Sequence, residues 1–297
     1  MKLLVIGNSV VDTIDFKGEI TTKPGGIFYT VTALNNFKKK QDKISLVTAV
    51  DRKHYFLFEK EYQRLDKRIF DNVESVPKVW LKVEEHSERH EKYENINQNL
   101  SLNIKNLNLY DGFLINMITG FDISLRQLKE IRKSYRGTIY FDVHTFSRGL
   151  DKDFKRHFRV IPDFKEWAKN LDIVQINNNE LHTLSEKKNE EEIIEETLDY
   201  GIKYLIVTLE EKGATIFFKE NNIVDSIHHP AIKIDINNKI GCGDVFGAVF
   251  FYSYISQGFK NIDNALRLAN IAAGCSASYK EINEFKNLKK DVLSRYN

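Results

Sequence analysis

Short runs of β-branched and aromatic residues alternate with stretches of helical period along almost the whole chain. That is the pattern of a mainly parallel sheet covered by helices on both faces. Residues 2–6, 44–48, 112–115, 138–141, 173–176 and 204–208 predict strands. Residues 27–37, 124–134, 190–198, 245–257 and 262–277 predict helices, with Gly258 closing the fourth. Two stretches break the rhythm: residues 13–20 and 76–96 alternate with period two and have no helix partner. The second reads as a hairpin with a charged turn around Glu88.

Candidate chemistry gathers where strands end. Gly241-Cys242-Gly243 stands directly in front of Asp244 and a long apolar helix. Glycines let backbone N–H groups approach a ligand and a helix start adds its positive dipole end, so this segment suits an anion, with phosphate the natural guest. A carboxylate beside phosphate makes sense as a base for an attacking hydroxyl, which is the role open to Asp244; the same spelling fits a plain helix entry with an acid in its first turn. Gly7-Asn8 ends the first strand and places Asp12 in a loop at its carboxyl end, where ligands of open parallel sheets gather. Asp12 there is either a holder of vicinal hydroxyls or a turn residue. Pro24-Gly25-Gly26 runs into a helix that carries Thr30. Asn177-Asn178-Asn179-Glu180 has the spelling of a helix cap. Asp142, His144 and Arg148 bring polar side chains to the same edge, with an Asp142–Arg148 pair as the structural alternative.

In their order along the chain, these segments resemble the signatures of the ribokinase-like, pfkB-type carbohydrate kinases. The run Asn238-Lys239-Ile240-Gly241-Cys242-Gly243-Asp244 is similar to that family's Asp-Thr-x-Gly-Ala-Gly-Asp, with Asn238, Lys239 and Cys242 as departures. The resemblance implies Asp244 as catalytic base, with Gly241, Cys242 and Gly243 as anion hole. It places Asp12, Gly25, Gly26 and Thr30 on the acceptor, Thr30 standing where the family usually has Asn. Asn177, Thr208, Glu210, Gly213 and Asn270 fall on the nucleotide and Glu180 on magnesium. Glu210 replaces a Gly in a Val-Thr-Leu-Gly-Glu-Lys-Gly-Ala pattern, and its charge opposes that of Lys239, which invites an ion pair between them. The implied fold is a three-layer α/β/α domain over residues 1–297, with a mainly parallel central sheet and lid strands inserted at about 13–21 and 74–98. The implied activity is transfer of the ATP γ-phosphate to a hydroxyl of a sugar or related polyol, with magnesium and room for a monovalent cation. A nucleoside or inositol kinase, or a ligand-binding homologue that has lost turnover, are the alternatives. The lid's unpaired strand edge predicts a homodimer through the lid.

Composition sharpens this only slightly. With 44 basic against 42 acidic side chains the net charge is +2, which gives no electrostatic case for nucleic acid. The apolar run 245–255 is too short for a membrane span, and residues 3–6 are too short for a signal-peptide core. Two cysteines in apolar surroundings, Cys242 and Cys275, fit reduced thiols in the cytoplasm. Cys242 at a helix start should favour the reactive thiolate. No cluster of Lys and Arg stands at the acceptor-side motifs, which favours an uncharged polyhydroxyl acceptor over a sugar phosphate.

Overall fold

The computed structural model describes residues 1–16, 18–83, 90–151 and 155–296. Its strands are β1 (Lys2–Ile6), β2 (Ser9–Phe16), β3 (Glu19–Gly26), β4 (Lys43–Val50), β5 (Lys67–Asn72), β6 (Lys78–Val83), β7 (His90–Glu94), β8 (Gly112–Asn116), β9 (Thr138–Asp142), β10 (Arg148–Leu150), β11 (Arg156–Phe158), β12 (Ile173–Asn177), β13 (Tyr204–Thr208), β14 (Ala214–Glu220) and β15 (Ile223–His229). The helices are α1 (Phe28–Phe37), α2 (Glu59–Tyr62), α3 (Leu125–Ser134), α4 (Phe164–Ala168), α5 (Glu190–Asp199), α6 (Cys242–Ser256), α7 (Ile262–Ser278) and α8 (Leu288–Tyr296). The charged turn expected around Glu88 lies outside the described residues.

Strands apolar on both faces belong in the middle of a sheet, and β1, β8, β9 and β12 are buried almost throughout. Among the described residues the main sheet runs β15-β14-β13-β12-β9-β8-β1-β4-β5. It is parallel from β13 to β5, and the β14–β15 hairpin extends it antiparallel at one edge. Odd and even strand positions feed two separate cores. Leu3, Val5, Leu114, Tyr140 and Ile206 pack with α1, α6, α7 and α8, whereas Leu4, Ile6, Phe113, Phe141 and Val174 pack with α3, α4 and α5. The expected α/β/α layering with a mainly parallel sheet is therefore present. Helix α6 is apolar on every side because it lies between the sheet, α1 and α7.

The sequence reading did not separate β5, β14, β15 and α8, whose faces are partly polar because they border solvent. It also started α6 too late. Gly241 takes φ +78° as the cap, so Cys242, Gly243 and Asp244 already belong to the first helical turn.

Strands β3-β2-β6-β7 form the small lid sheet. It begins earlier than expected: only Gly7 and Asn8 separate β1 from β2, so Asp12 lies within a strand, paired with Lys23, and not in a loop. The lid is tied to the main sheet by buried polar groups. Ser9 N donates to Thr48 Oγ1 at 2.8 Å, and Asp51 Oδ2 accepts from Val76 N at 2.8 Å. Asp122, buried completely, accepts from Asn8 N (2.8 Å), Asn8 Nδ2 (2.9 Å), Thr119 N (2.8 Å) and Thr119 Oγ1 (3.0 Å). It thus joins the β1–β2 turn to the loop after β8.

Asp122→Ala would leave those four donors buried without an acceptor. Each costs about 1–3 kcal/mol, so the variant should lose about 3 kcal/mol or more in denaturant unfolding. A loss under about 1 kcal/mol would show that the two loops are held by other contacts.

Candidate active site

On the α6 side of the sheet the apolar column of each strand ends in a polar residue at the carboxyl edge. Leu114 is followed by Asn116, Tyr140 by Asp142, and Ile173 by Gln175 and Asn177. Asn116 is in register with Asp142, and Asp142 with Gln175, so the three form a row beneath the N-terminus of α6. Gln175 Nε2 donates to Gly243 O at 3.1 Å while its Oε1 accepts from the buried Tyr140 hydroxyl, which fixes the glycine turn from below.

Asp244 sits above this row, 6% exposed, and accepts from Asn116 Nδ2 at 3.0 Å. Thr30 lies beside it, bonded to the same amide at 3.2 Å. Burial pushes the Asp244 carboxyl up to about 7; the nearby Asp12 adds to the rise, and Asn116 and Thr30 oppose it. Burial also raises Asp142 well above the ordinary carboxylate range, with Asp244 and Glu180 reinforcing the effect. Glu180 is pushed up to about 7 by burial, against the pull of Arg148. Four carboxylates from β2, β9, α6 and the segment after β12 thus share one edge.

The structure brings Asp12, Gly25, Thr30 and Gly241 to Asp244. A Cβ at Gly25 would displace the Asp12 carboxylate, and Gly241 is required because its φ is +78° and a Cβ would overlap the Tyr29 ring. Gly26 has φ +63° and lies against Asn8 O, so it too accepts no side chain. Gly243 differs: its φ is not positive and a Cβ would meet nothing nearer than Gln175 Nε2 at 3.8 Å. The fold does not demand glycine at that position.

Asn177 and Glu180 form a reciprocal cap, Asn177 N donating to Glu180 Oε2 at 2.9 Å and Glu180 N to Asn177 Oδ1 at 3.0 Å. Thr208, in register with Asn177, gives its hydroxyl to Ile176 O at 3.2 Å. Gly213 must be glycine, since a side chain there would enter the backbone at His229 and Pro230. Asn270 stands on the neighbouring helix α7 with its Nδ2 on His229 O at 2.7 Å.

Residues 142–287, about half of the chain, match the pfkB family carbohydrate kinase. No curated protein sequence matches the chain. The ribokinase from Thermotoga maritima superposes with a TM-score of 0.74 at 19% identity, covering 99% of this chain and 98% of its own. The chain has the ribokinase fold, and its residues 142–287 belong to the pfkB family. Arabidopsis thaliana ribokinase, solved with ribose and ATP, gives 0.76 at 17% identity over 100% of this chain and 98% of its own. A pyrophosphate-dependent kinase in the ribokinase family, solved with a pyrophosphate analog and myo-inositol, gives 0.74 at 14% identity over 96% and 99%.

The departures from the family pattern have physical counterparts here. Glu210, where the pattern has Gly, keeps a left-handed backbone at φ +51°, a glycine-type conformation held at some cost. The anticipated ion pair exists, Lys239 Nζ lying 3.5 Å from both Glu210 Oε2 and Glu211 Oε1. Cys242 reverses the sequence expectation: burial, with Asp244 adding, raises its thiol above the ordinary value, and Sγ lies 3.6 Å from both Asn238 O and Ser276 Oγ. The expected Asp142–Arg148 pair is absent among the described residues. Arg148 and Arg156, carried on paired strands β10 and β11, flank the half-buried His144, whose ring is pushed down to about 4 by desolvation and by the two arginines. Arg156 reaches Thr119 O at 2.7 Å and stacks on Tyr93 of the lid at 4.5 Å. Sequence reasoning missed Asn116, Gln175, Tyr29 and Arg156. For the first two the usable signal was a polar residue closing an otherwise buried strand face.

A carboxyl with a raised value keeps its proton in the folded state where the unfolded chain has already released it, so it lowers stability as pH rises above the ordinary carboxylate range. Asp142→Asn should therefore raise the melting temperature of the ligand-free protein more at about pH 8 than at about pH 5. Equal gains at both would show that Asp142 carries no such penalty. Cys242 should react with iodoacetamide at neutral pH no faster than an ordinary exposed thiol; a markedly faster rate would restore the thiolate.

Proposed function

We propose that the protein transfers the γ-phosphoryl group of ATP to a hydroxyl of a sugar or related polyol. The observation that carries this is Asp244, a buried carboxyl poised near neutrality in the first turn of α6, directly behind Gly241-Cys242-Gly243. A base working near neutral pH needs that value. The spare space at Gly243, which the fold leaves unused, supports an anion hole formed by the backbone N–H groups at the start of α6. The acceptor hydroxyl gives its proton to Asp244 as its oxygen bonds the γ-phosphorus, and the bond from that phosphorus to the bridging oxygen breaks with its electrons leaving on ADP.

Asp12, Gly25, Gly26 and Thr30 hold the acceptor in this reading. Asn177, Thr208, Glu210, Gly213 and Asn270 border the nucleotide. The solved relatives bound to ribose with ATP and to myo-inositol support the acceptor and donor classes, and a putative ribokinase II from E. coli was solved with ATP and Mg2+. Glu180 and the neighbouring Asp142 are oxygen donors whose charged forms burial disfavours and a hard cation would favour, which fits magnesium. Glu180 would hold the ion, which neutralises charge on the nucleotide phosphates. Arg148 and Arg156 add positive charge near the lid, so the acceptor panel includes a sugar phosphate. The lid as a homodimer contact and the cytoplasm as location belong to the same proposal.

ATP consumption with magnesium should appear with at least one of ribose, myo-inositol, adenosine or fructose 6-phosphate. Asp244→Asn should then lower kcat by about 10²–10⁴-fold with unchanged melting. Near-parental turnover in that variant would remove Asp244 as base. Turnover with pyrophosphate in place of ATP would overturn the donor, and ATP binding without transfer to any acceptor would leave a ligand-binding homologue.

A further inference from the structure

Asn116 has no role in the scheme above, yet it is the side chain that bonds the base. It closes β8, is 2% exposed, and its Nδ2 lies 3.0 Å from Asp244 Oδ1, 3.2 Å from Thr30 Oγ1 and 3.5 Å from Asp142 Oδ2. All three neighbours accept hydrogen bonds and two are carboxylates, so the amide turns its nitrogen towards them. Its own carbonyl is left buried with no hydrogen-bond partner. An amide held in that way owes its place to what its donor does, because the unsatisfied acceptor is unfavourable.

We propose that Asn116 is the positioning residue of the base: by holding Asp244 Oδ1 it leaves the other carboxylate oxygen for the acceptor hydroxyl and favours the charged form that takes the proton. The inference rests on Asp244 being the base. No positive side chain among the described residues does this work. Asp244 faces Asp12 from β2, Asp142 from β9, Tyr29 and Thr30 from α1, and Cys242 on its own helix. Asp12 opposes its charge, burial favours the neutral form of Asp142, and Tyr29 and Cys242 have values raised by burial and remain neutral. Three hydrogen-bond donors favour the charge: the Asn116 amide first, then the backbone N–H of Asp244 itself, then the Thr30 hydroxyl.

The test is the pH profile of kcat for Asn116→Leu and Asn116→Ala, using ATP, magnesium and the best acceptor of the panel. The acid limb of the parent should lie near pH 7 and move up by about one unit in the variants. That is about a tenfold lower kcat below the limb, with most activity recovered at about pH 9 and the acceptor KM changed less than about threefold. Folded variants whose limb stays in place, or whose loss is equal at every pH, would overturn the inference. A measurement on the parent alone serves if neither variant folds. The Asn116 side-chain amide protons, followed by NMR without ligand, should shift through a single transition near pH 7 that disappears in Asp244→Asn; a flat response would overturn it equally. Should Asp244→Asn keep turnover, the base assignment itself fails. Should it lose turnover while the Asn116 profiles match the parent, only the role of Asn116 fails.

Discussion

The carboxylate of Asp244 is buried in the first turn of α6 with Asp12 and Asp142 facing it, and most of the architecture can be related to holding it there. Moving a carboxyl from its ordinary 3.8 to about 7 corresponds to a charging cost on the order of 4 kcal/mol. That is comparable to a large part of the net stability of a domain, so it persists only where surrounding packing over-determines the position. Helix α6 supplies that packing, since its residues from Asp244 to Ile255 are buried on every side. The parallel sheet supplies the rest by turning its carboxyl ends towards the same helix start.

The supports are polar and come from below. Gln175, held by Tyr140, fixes the carbonyl of Gly243, and Asn116 fixes the carboxylate of Asp244. Both side chains close strand faces that are otherwise apolar. In a parallel sheet the row they form is rigid, because each is in register with Asp142 between them. A side chain on a loop could not hold these distances as closely.

The lid carries the residues proposed to hold the acceptor. Asp12 lies on β2 and the glycine pair on β3, so the geometry of both depends on how the lid sheet is anchored. Asp122, Asp51 and the Ser9–Thr48 contact do this with buried hydrogen bonds that cross between the two sheets. Apolar contact alone would leave the angle between the sheets loosely specified, whereas a carboxylate that accepts from two loops fixes both at once.

The sequence alone determined the alternation of strands and helices, since hydrophobic period is a local property and the buried strands 2–6 and 204–208 are found where that period placed them. It also marked Gly241-Cys242-Gly243-Asp244 and the Asn177–Glu180 pair, whose spacing is set within a few residues. It left undecided what depends on neighbours distant in the chain. Asn116 and Gln175 are single polar residues in buried strands, and they gained meaning only when α6, whose Asp244 is 128 residues beyond Asn116, was laid over them. Arg148 and Arg156 came together only through the pairing of β10 with β11. Cys242 shows the same division: a helix start favours the thiolate, but packing against Ser276 of α7 buried the sulfur, and burial disfavours charge whatever the local sequence suggests.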